Sequence, residues 1–325
     1  MDLRKAVTKA MPQVPKEKMY SSDYPFHYKD YADNLFCPLG KAAQDAYGNG
    51  SGNETQPTQK VQKDGSVITT PAKMASVASS SAMTFNLLGN DPAVILLNPW
   101  LPAGTYQVQY EKQMRTLDIR SNPANLDAFL SNEDEKTAIF CEMKLLEWLN
   151  KPGDLKERYG KRECYFTPDN SVVSFPIDAF GVFKKVIEEI EKAAFVHYDG
   201  WQMFKHLLAI YNHTSFTTQK AVEKLPQFPS VAGKYNRIIL SNVVNEFPPE
   251  RIADEKVRSQ YLIALEQERE EAVRFVGIIH NSGIPRLYDN NCNAAIEVKY
   301  ISAKTFADCL KITDKRRDYL TRYFT

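Results

Sequence analysis

Two acids and a lysine stand close together in residues 123–148, PANLDAFLSNEDEKTAIFCEMKLLEW: Asp127, Glu142 and Lys144. NLDAFL (125–130) and TAIFCEMKLLEWL (137–149) read as strands, and the polar run SNEDEK (131–136) reads as the turn that joins them in a hairpin. Side chains alternate faces along a strand, so Glu142 and Lys144 point the same way. The hairpin lets Asp127 come level with Glu142 on that face. Two carboxylates side by side repel, and burying them together is costly unless a cation sits between them. Hard divalent ions want such oxygens, and Mg²⁺ commonly uses one or two carboxylates and completes its shell with water and substrate phosphate. Lys144 would add a compact positive charge beside that phosphate. The chemistry this set suits is metal-assisted phosphodiester hydrolysis. The plain alternative is a cross-strand ion pair on a solvated face.

The spacing alone is not specific. An acid two residues before a lysine occurs at Asp134, Glu142, Asp154, Asp254 and Glu297. Asp134 falls in the turn, and Asp154 and Asp254 fall in polar loop or helix contexts. Only Glu142 and Glu297 lie on strand-like segments. Glu297-Val298-Lys299 even has Asp289 upstream, but Asp289 falls in an Asn-rich stretch read as a loop, whereas Asp127 is itself on a strand.

The elements that must position this hairpin can be read coarsely. KMASVASSSAMTFNLLG (73–89) carries small and apolar residues at helical spacing and ends on Gly89, a natural helix stop. TYQVQYEKQMRTL (105–117) alternates Tyr106, Val108 and Tyr110 against Gln107, Gln109 and Glu111, which is a strand pattern. Residues 178–195 and 199–213 read as helices, the second capped by Asp199 with Trp201, Phe204, Leu207, Leu208 and Tyr211 on one broad face. YNRIILSNVV (235–244) is a nearly continuous apolar strand, the kind buried on both faces. Residues 249–272 read as a charged helix, 273–280 and 294–302 as late strands, and 304–323 as a basic helix. Residues 47–72 are rich in Gly, Asn, Gln, Ser and Thr and read as a mobile loop or hairpin excursion. Together these imply one α/β domain over 1–325, a mixed central sheet covered by helices.

Bulk composition narrows the classes. The 325 residues carry 41 Lys and Arg against 40 Asp and Glu, a formal charge of +1, so phosphate contacts must come from local patches. No stretch approaches the roughly 18 apolar residues of a membrane span, and the first residues lack the apolar core of a signal peptide. The five cysteines are scattered without a CxxC pair, which argues against a zinc ribbon and for reduced thiols in a cytoplasmic protein. No GxGxxG or GxxxxGK[ST] occurs, so a nucleotide-cradling loop has no support.

A helix, then three strands, with Asp on the second and Glu-x-Lys on the third, resembles the PD-(D/E)xK nuclease superfamily. SSSAMTFNLLG, QYEKQM, NLDAFL and FCEMKLLEW together look like a group of bacterial restriction-endonuclease-like proteins. The likeness covers roughly residues 75–150 and, more loosely, 195–245. It implies a restriction-endonuclease-like fold with an αβββαβ core, Mg²⁺- or Mn²⁺-dependent hydrolysis of DNA, Asp127 and Glu142 as metal ligands and Lys144 as the catalytic lysine. It also implies a Gln near the site on a following helix, which matches Gln202. The chain departs from the pattern twice: Leu126 stands where the Pro of the family name would be, with Pro123 three residues earlier, and the first helix has no metal-facing Glu. Glu111 is the nearest acid that could take that part; otherwise it belongs to the polar face of a half-exposed strand.

Other candidates are weaker. Ser81 and Asn86 could face the site from the first helix. His206 and His213 are seven apart, which is no zinc signature, and read as ordinary helix residues. Lys161, Arg162, Arg237, Lys315, Arg316 and Arg317 could touch phosphates. Nucleases that cut both strands often act as homodimers. The competing expectation is a catalytically inert nucleic-acid- or partner-binding protein on the same fold.

Overall fold

The computed structural model describes residues 2–49, 54–62, 64–119, 122–171, 177–225 and 229–325. The chain runs α1 (Leu3–Thr8), β1 (Met19–Ser21), β2 (Tyr24–Tyr28), α2 (Lys41–Asn49), β3 (Thr58–Val61), β4 (Val67–Thr70), α3 (Ser80–Leu88), β5 (Ala93–Ile95), β6 (Gly104–Met114), β7 (Ala124–Asn132) and β8 (Thr137–Lys144). It continues through α4 (Ala179–Ala193), α5 (Gly200–Thr214), α6 (Gln219–Glu223), β9 (Arg237–Val244), α7 (Glu255–Asn281), α8 (Ile284–Cys292), β10 (Ala295–Ser302), α9 (Ala303–Cys309) and α10 (Asp314–Phe324). The fold is α/β. Six strands form a mixed sheet in the order β10-β9-β8-β7-β6-β5. Strands β5 to β8 are antiparallel neighbours, whereas β8, β9 and β10 are parallel.

Helices cover both faces, which is why β8 and β9 are apolar nearly throughout. Ile139, Cys141 and Met143 join Phe85 of α3, Phe306 of α9 and Tyr323 of α10 in one core. Ala138 and Phe140 join Phe183 of α4, Phe204 and Leu207 of α5 and Tyr288 of α8 in the other. By alternation Glu142 continues the side of Ala138 and Phe140, and so faces α5.

Two strands break their alternation at the same level. In β7, Leu126 packs in the α5-side core while Ala128 and Leu130 pack in the other. In β6, Tyr110 and Met114 are likewise split between the two cores. The ladder pairs Tyr110 with Ala128 and Lys112 with Leu126, and it skips the intervening positions, Glu111 and Asp127. Glu111 sits at φ 50, a left-handed conformation that costs a non-glycine residue about 1–2 kcal/mol. A local kink of this kind re-aims side chains. The sheet spends it where two of the candidate acids stand.

Several elements differ from the sequence reading. Residues 273–280 are not a strand but the last turns of α7, which runs 27 residues. Ala272, Phe275 and Ile279 face the core at helical spacing, a pattern that a short apolar run cannot separate from a strand. The helix expected over 73–89 is confined to Ser80–Leu88, with Ser79 accepting from the Ala82 N–H at 3.2 Å as its cap; residues 73–75 form a 3-10 turn. The basic C-terminal helix is two helices, α9 and α10. Asp289 lies in α8, not in a loop. Within 47–72, α2 reaches Asn49 and β3 pairs with β4 in a hairpin; residues 50–53 and 63 lie outside the described residues. No described helix is long and apolar enough to cross a membrane. The five cysteines are unpaired, and four of them are buried.

The segment feeding α5 is clamped by one side chain. The Glu271 carboxylate accepts the N–H groups of Val196 at 2.9 Å, His197 at 2.8 Å and Tyr198 at 2.8 Å. Asp199 then caps α5, its Oδ1 accepting the Gln202 N–H at 2.8 Å. Glu271→Ala strands three donors and is expected to lower stability by about 2–4 kcal/mol. In urea the midpoint should fall with an unchanged slope; an unchanged midpoint would show that the clamp is idle.

Candidate active site

The β7–β8 ladder ends at Ala128 and Cys141, so Asp127 and Glu142 face each other just where the strands part. Asp127 fills the gap: its Oδ2 accepts the Met143 N–H at 2.6 Å. Glu142 is 4 % exposed and fully engaged. Its Oε1 meets Lys144 Nζ at 2.8 Å and accepts from Gln202 Nε2 at 2.7 Å. Its Oε2 faces His206 Nε2 at 2.9 Å. Lys144 Nζ also donates to Gln202 Oε1 at 2.6 Å, closing a ring of three side chains. Since a carboxylate oxygen accepts, His206 presents its proton from Nε2, and its buried Nδ1 has no partner among the described residues.

The charges divide unequally. Burial alone would push Glu142 up, but Lys144 and then His206 more than offset it, and its carboxyl lies below the ordinary value. Burial alone would lower Lys144, yet Glu142 holds the proton on its ammonium more firmly than usual. Asp127 goes the other way. Burial, then repulsion from Glu142 and Glu111, raises it well above its ordinary value. Glu111 is pushed up to about 7, by burial first, with Glu54 and Glu142 adding to it and a hydrogen bond from Asn125 Nδ2 opposing. Glu142 is therefore the settled anion of the pair, while Asp127 holds its proton more firmly than an ordinary carboxyl.

The hard oxygen chemistry of Asp127 and Glu142 fits Mg²⁺ or Mn²⁺. Among the described residues no group of three or more His, Cys, Asp or Glu is arranged to hold a metal ion. Two protein ligands are what Mg²⁺ commonly takes, the rest being water and phosphate. Glu111 is 8 % exposed, so it is not on a half-exposed polar face. It sits across from Asp127 with its carboxylate on Asn125.

Two cavities flank Gln202. One, of about 200 Å³, is lined by Glu142, Lys144, Lys151, Trp148, Asn242 and Glu268 among others. The second, of about 300 Å³, is lined by His206, Lys205, Lys156, Arg158, Tyr159 and Asn125 among others. Glu268, 1 % exposed, is raised to about 8 by burial and then by Glu271. A carboxyl raised on folding stabilises the protein fully below its ordinary value of 4.5, and that contribution is lost as pH rises through about 8. Glu268→Gln should therefore match the wild type at pH 5 and exceed it at pH 8.5, by up to about 5 kcal/mol. Thermal melts across that range check this, and parallel curves for the two proteins would refute it.

Other candidates fall elsewhere. Asn86 is packed away from the site, accepting the Phe36 N–H at 2.7 Å and donating to Tyr323 Oη at 2.9 Å. Ser81 donates to Glu54 Oε2 at 2.8 Å, and Lys73 pairs with that same carboxylate at 3.2 Å; this polar cluster borders Glu111. His213 is a strap: its Nε2 accepts the Arg115 N–H at 2.9 Å and its Nδ1 meets Pro229 O at 3.3 Å. Lys161 pairs with Glu157, Arg162 with Asp178 and Arg237 with Glu297. Arg316 is held by Asn86 O at 2.8 Å, and Arg317 lies 3.8 Å from Asp308. These pairings oppose a phosphate role for them. Glu297 also holds Lys299 at 3.0 Å, so the second Glu-x-Lys is an ion-pair cluster on the edge strand.

His206 is the residue that the sequence reading passed over. Its spacing to His213 is no zinc signature; its informative neighbour is Gln202. Four residues apart on a helix, the two share a face, and both reach Glu142.

Compared with protein-family models, curated proteins and solved structures, the chain matches none.

Proposed function

We propose that this protein is a metal-dependent phosphodiesterase that hydrolyses DNA at the Asp127/Glu142/Lys144 site. The observation that carries the reading is the meeting of half-buried Asp127 with buried Glu142 where β7 and β8 part, with Lys144 Nζ 2.8 Å from Glu142. Within α3-β5-β6-β7-β8-α4-α5-α6-β9, the helix α3, the strands β6 to β8, the helix α5 and the strand β9, parallel to β8, support a restriction-endonuclease-like fold.

Asp127 and Glu142 would hold Mg²⁺ or Mn²⁺, and Glu111 stands close enough to tune their charge. When bound, the ion supplies Lewis acidity, acidifying a water and drawing charge off the phosphate. Lys144 places a fixed ammonium at the same point and stabilises the negative charge that builds on phosphorus. Gln202 ties Lys144 to Glu142 through both ends of its amide, so the two cannot drift apart. His206 fixes the second oxygen of Glu142 and thereby the plane of the carboxylate.

A second reading, an inert binding protein on this fold, is favoured by one observation: Glu142 already takes three partners from the chain itself.

Calorimetric titration with Mn²⁺ decides between them. The wild type should bind Mn²⁺, and because the Asp127 carboxyl is raised, binding should tighten as pH rises. Asp127→Asn should lose binding. A wild type that binds no Mn²⁺ would overturn the hydrolase.

A further inference from the structure

We infer that the DNA substrate reaches this site as a single strand, its backbone held in the Lys156/Lys205 cavity and one unstacked base entering the Trp148/Glu268 cavity. The inference rests on the hydrolytic reading of Asp127, Glu142 and Lys144.

The two cavities share Gln202, the residue bonded to both Glu142 and Lys144. A chain laid from one to the other passes Gln202, beside Glu142 and Lys144, with one neighbour of the scissile phosphate on each side. The cavities differ in charge. The larger carries Lys156, Arg158 and Lys205 against Asp154. Lys156 and Lys205 have no ion-pair partner among the described residues, unlike Lys161, Arg162 and Arg237. Cations left uncommitted along a groove suit a phosphate backbone.

The smaller cavity is unsuited to phosphate. Glu142, Glu147, Asp199 and Glu268 outnumber Lys144 and Lys151 on its wall. It does contain polar groups in need of partners: Trp148 Nε1 and Glu268 Oε2 are buried and lack one among the described residues. Trp148 and Glu268 are 3 % and 1 % exposed. An uncharged ring with donors and acceptors on its edge, a nucleobase, answers both the charge and the missing hydrogen bonds. A base paired and stacked in a duplex cannot enter such a pocket; it must be single-stranded or flipped out.

The test uses the full-length protein in EDTA and a labelled DNA oligonucleotide of about 12 nucleotides, a length within the site sizes of single-strand binders. Fluorescence anisotropy should show the single strand bound at least tenfold more tightly than the same sequence as a duplex. Lys156→Ala with Lys205→Ala should weaken single-strand binding about tenfold and flatten the log–log salt slope by about 1.4, two phosphate contacts at roughly 0.7 each. Equal affinity for duplex and single strand, or a salt slope unmoved by the double variant, would overturn the inference. Cleavage in Mn²⁺ of the same strands keeps the two readings apart. A protein that cuts but binds both forms alike sinks only the strand-threading. A protein that prefers the single strand as stated yet never cuts sinks only the hydrolysis.

Discussion

On the proposed hydrolytic reading, Glu142→Gln is expected to reduce metal-dependent DNA cleavage by roughly 10³-fold or more, about 4 kcal/mol of transition-state stabilisation. The substitution preserves shape but removes the anion. Glu142 Oε1 accepts from two cationic or amide donors, Lys144 and Gln202, and Oε2 accepts from His206. A glutamine amide brings two donors of its own into a ring that is already full of them, so one contact must open whichever way it turns. The loss then has two parts, a missing metal ligand and a Lys144 that is no longer held. Glu297→Gln is the matched control. Glu297 has the same Glu-x-Lys spacing, is on a strand, and pairs with Arg237 at 2.8 Å and Lys299 at 3.0 Å. Its side chain is 36 % exposed, so its ion pairs are solvent-screened. Cleavage by Glu297→Gln should stay within about twofold of the wild type. Single-turnover cleavage in Mn²⁺, with near-UV dichroism to confirm that each variant is folded, makes the comparison. The reverse outcome would move the active site to β10.

That comparison also shows what the sequence could carry. Alternation and turn length put Asp127, Glu142 and Lys144 together, because those are properties of a hairpin and a hairpin is local. The helix start at Asp199, the apolar strand β9 and the strand β10 are legible because their signals are local too. The kink was not. Nothing in the residue types of Glu111 and Asp127 announces a left-handed φ or a skipped ladder pair; the two packed cores impose it. The fate of the basic residues was not legible either. Arg162 finds Asp178 and Arg237 finds Glu297, and the second partner is remote in sequence, so a list of cations overstates the charge available to phosphate. The long α7 was hidden because VRFVGIIH satisfies a strand and a buried helix equally. His206 stands at helical spacing from Gln202, but no residue type announces that both side chains reach Glu142.

Lys144→Met should cost the protein about 2–4 kcal/mol at pH 7 as well as most of its cleavage, and the two losses should separate in a double variant. Removing the ammonium leaves Glu142 at 4 % exposure opposite Asp127, with Gln202 and His206 as its remaining partners. In the wild type Glu142 lies below its ordinary value, so its contribution is present above that value and lost as pH falls through the lowered one. Without Lys144, burial, the largest influence on Glu142, is opposed chiefly by His206 and raises it, so the sign inverts: stability is kept below the ordinary value and lost as pH rises. The gap between variant and wild type should therefore be wide at pH 7 and close towards pH 4, which urea midpoints at the two pH values will read. Adding Glu142→Gln to Lys144→Met removes the stranded anion and should restore most of the stability, because two neutral groups of similar shape replace a buried pair. Cleavage should stay lost. A Lys144→Met protein as stable as the wild type at pH 7 would mean that Glu142 is solvated or protonated without its lysine, and the electrostatic account of the site would fail with it.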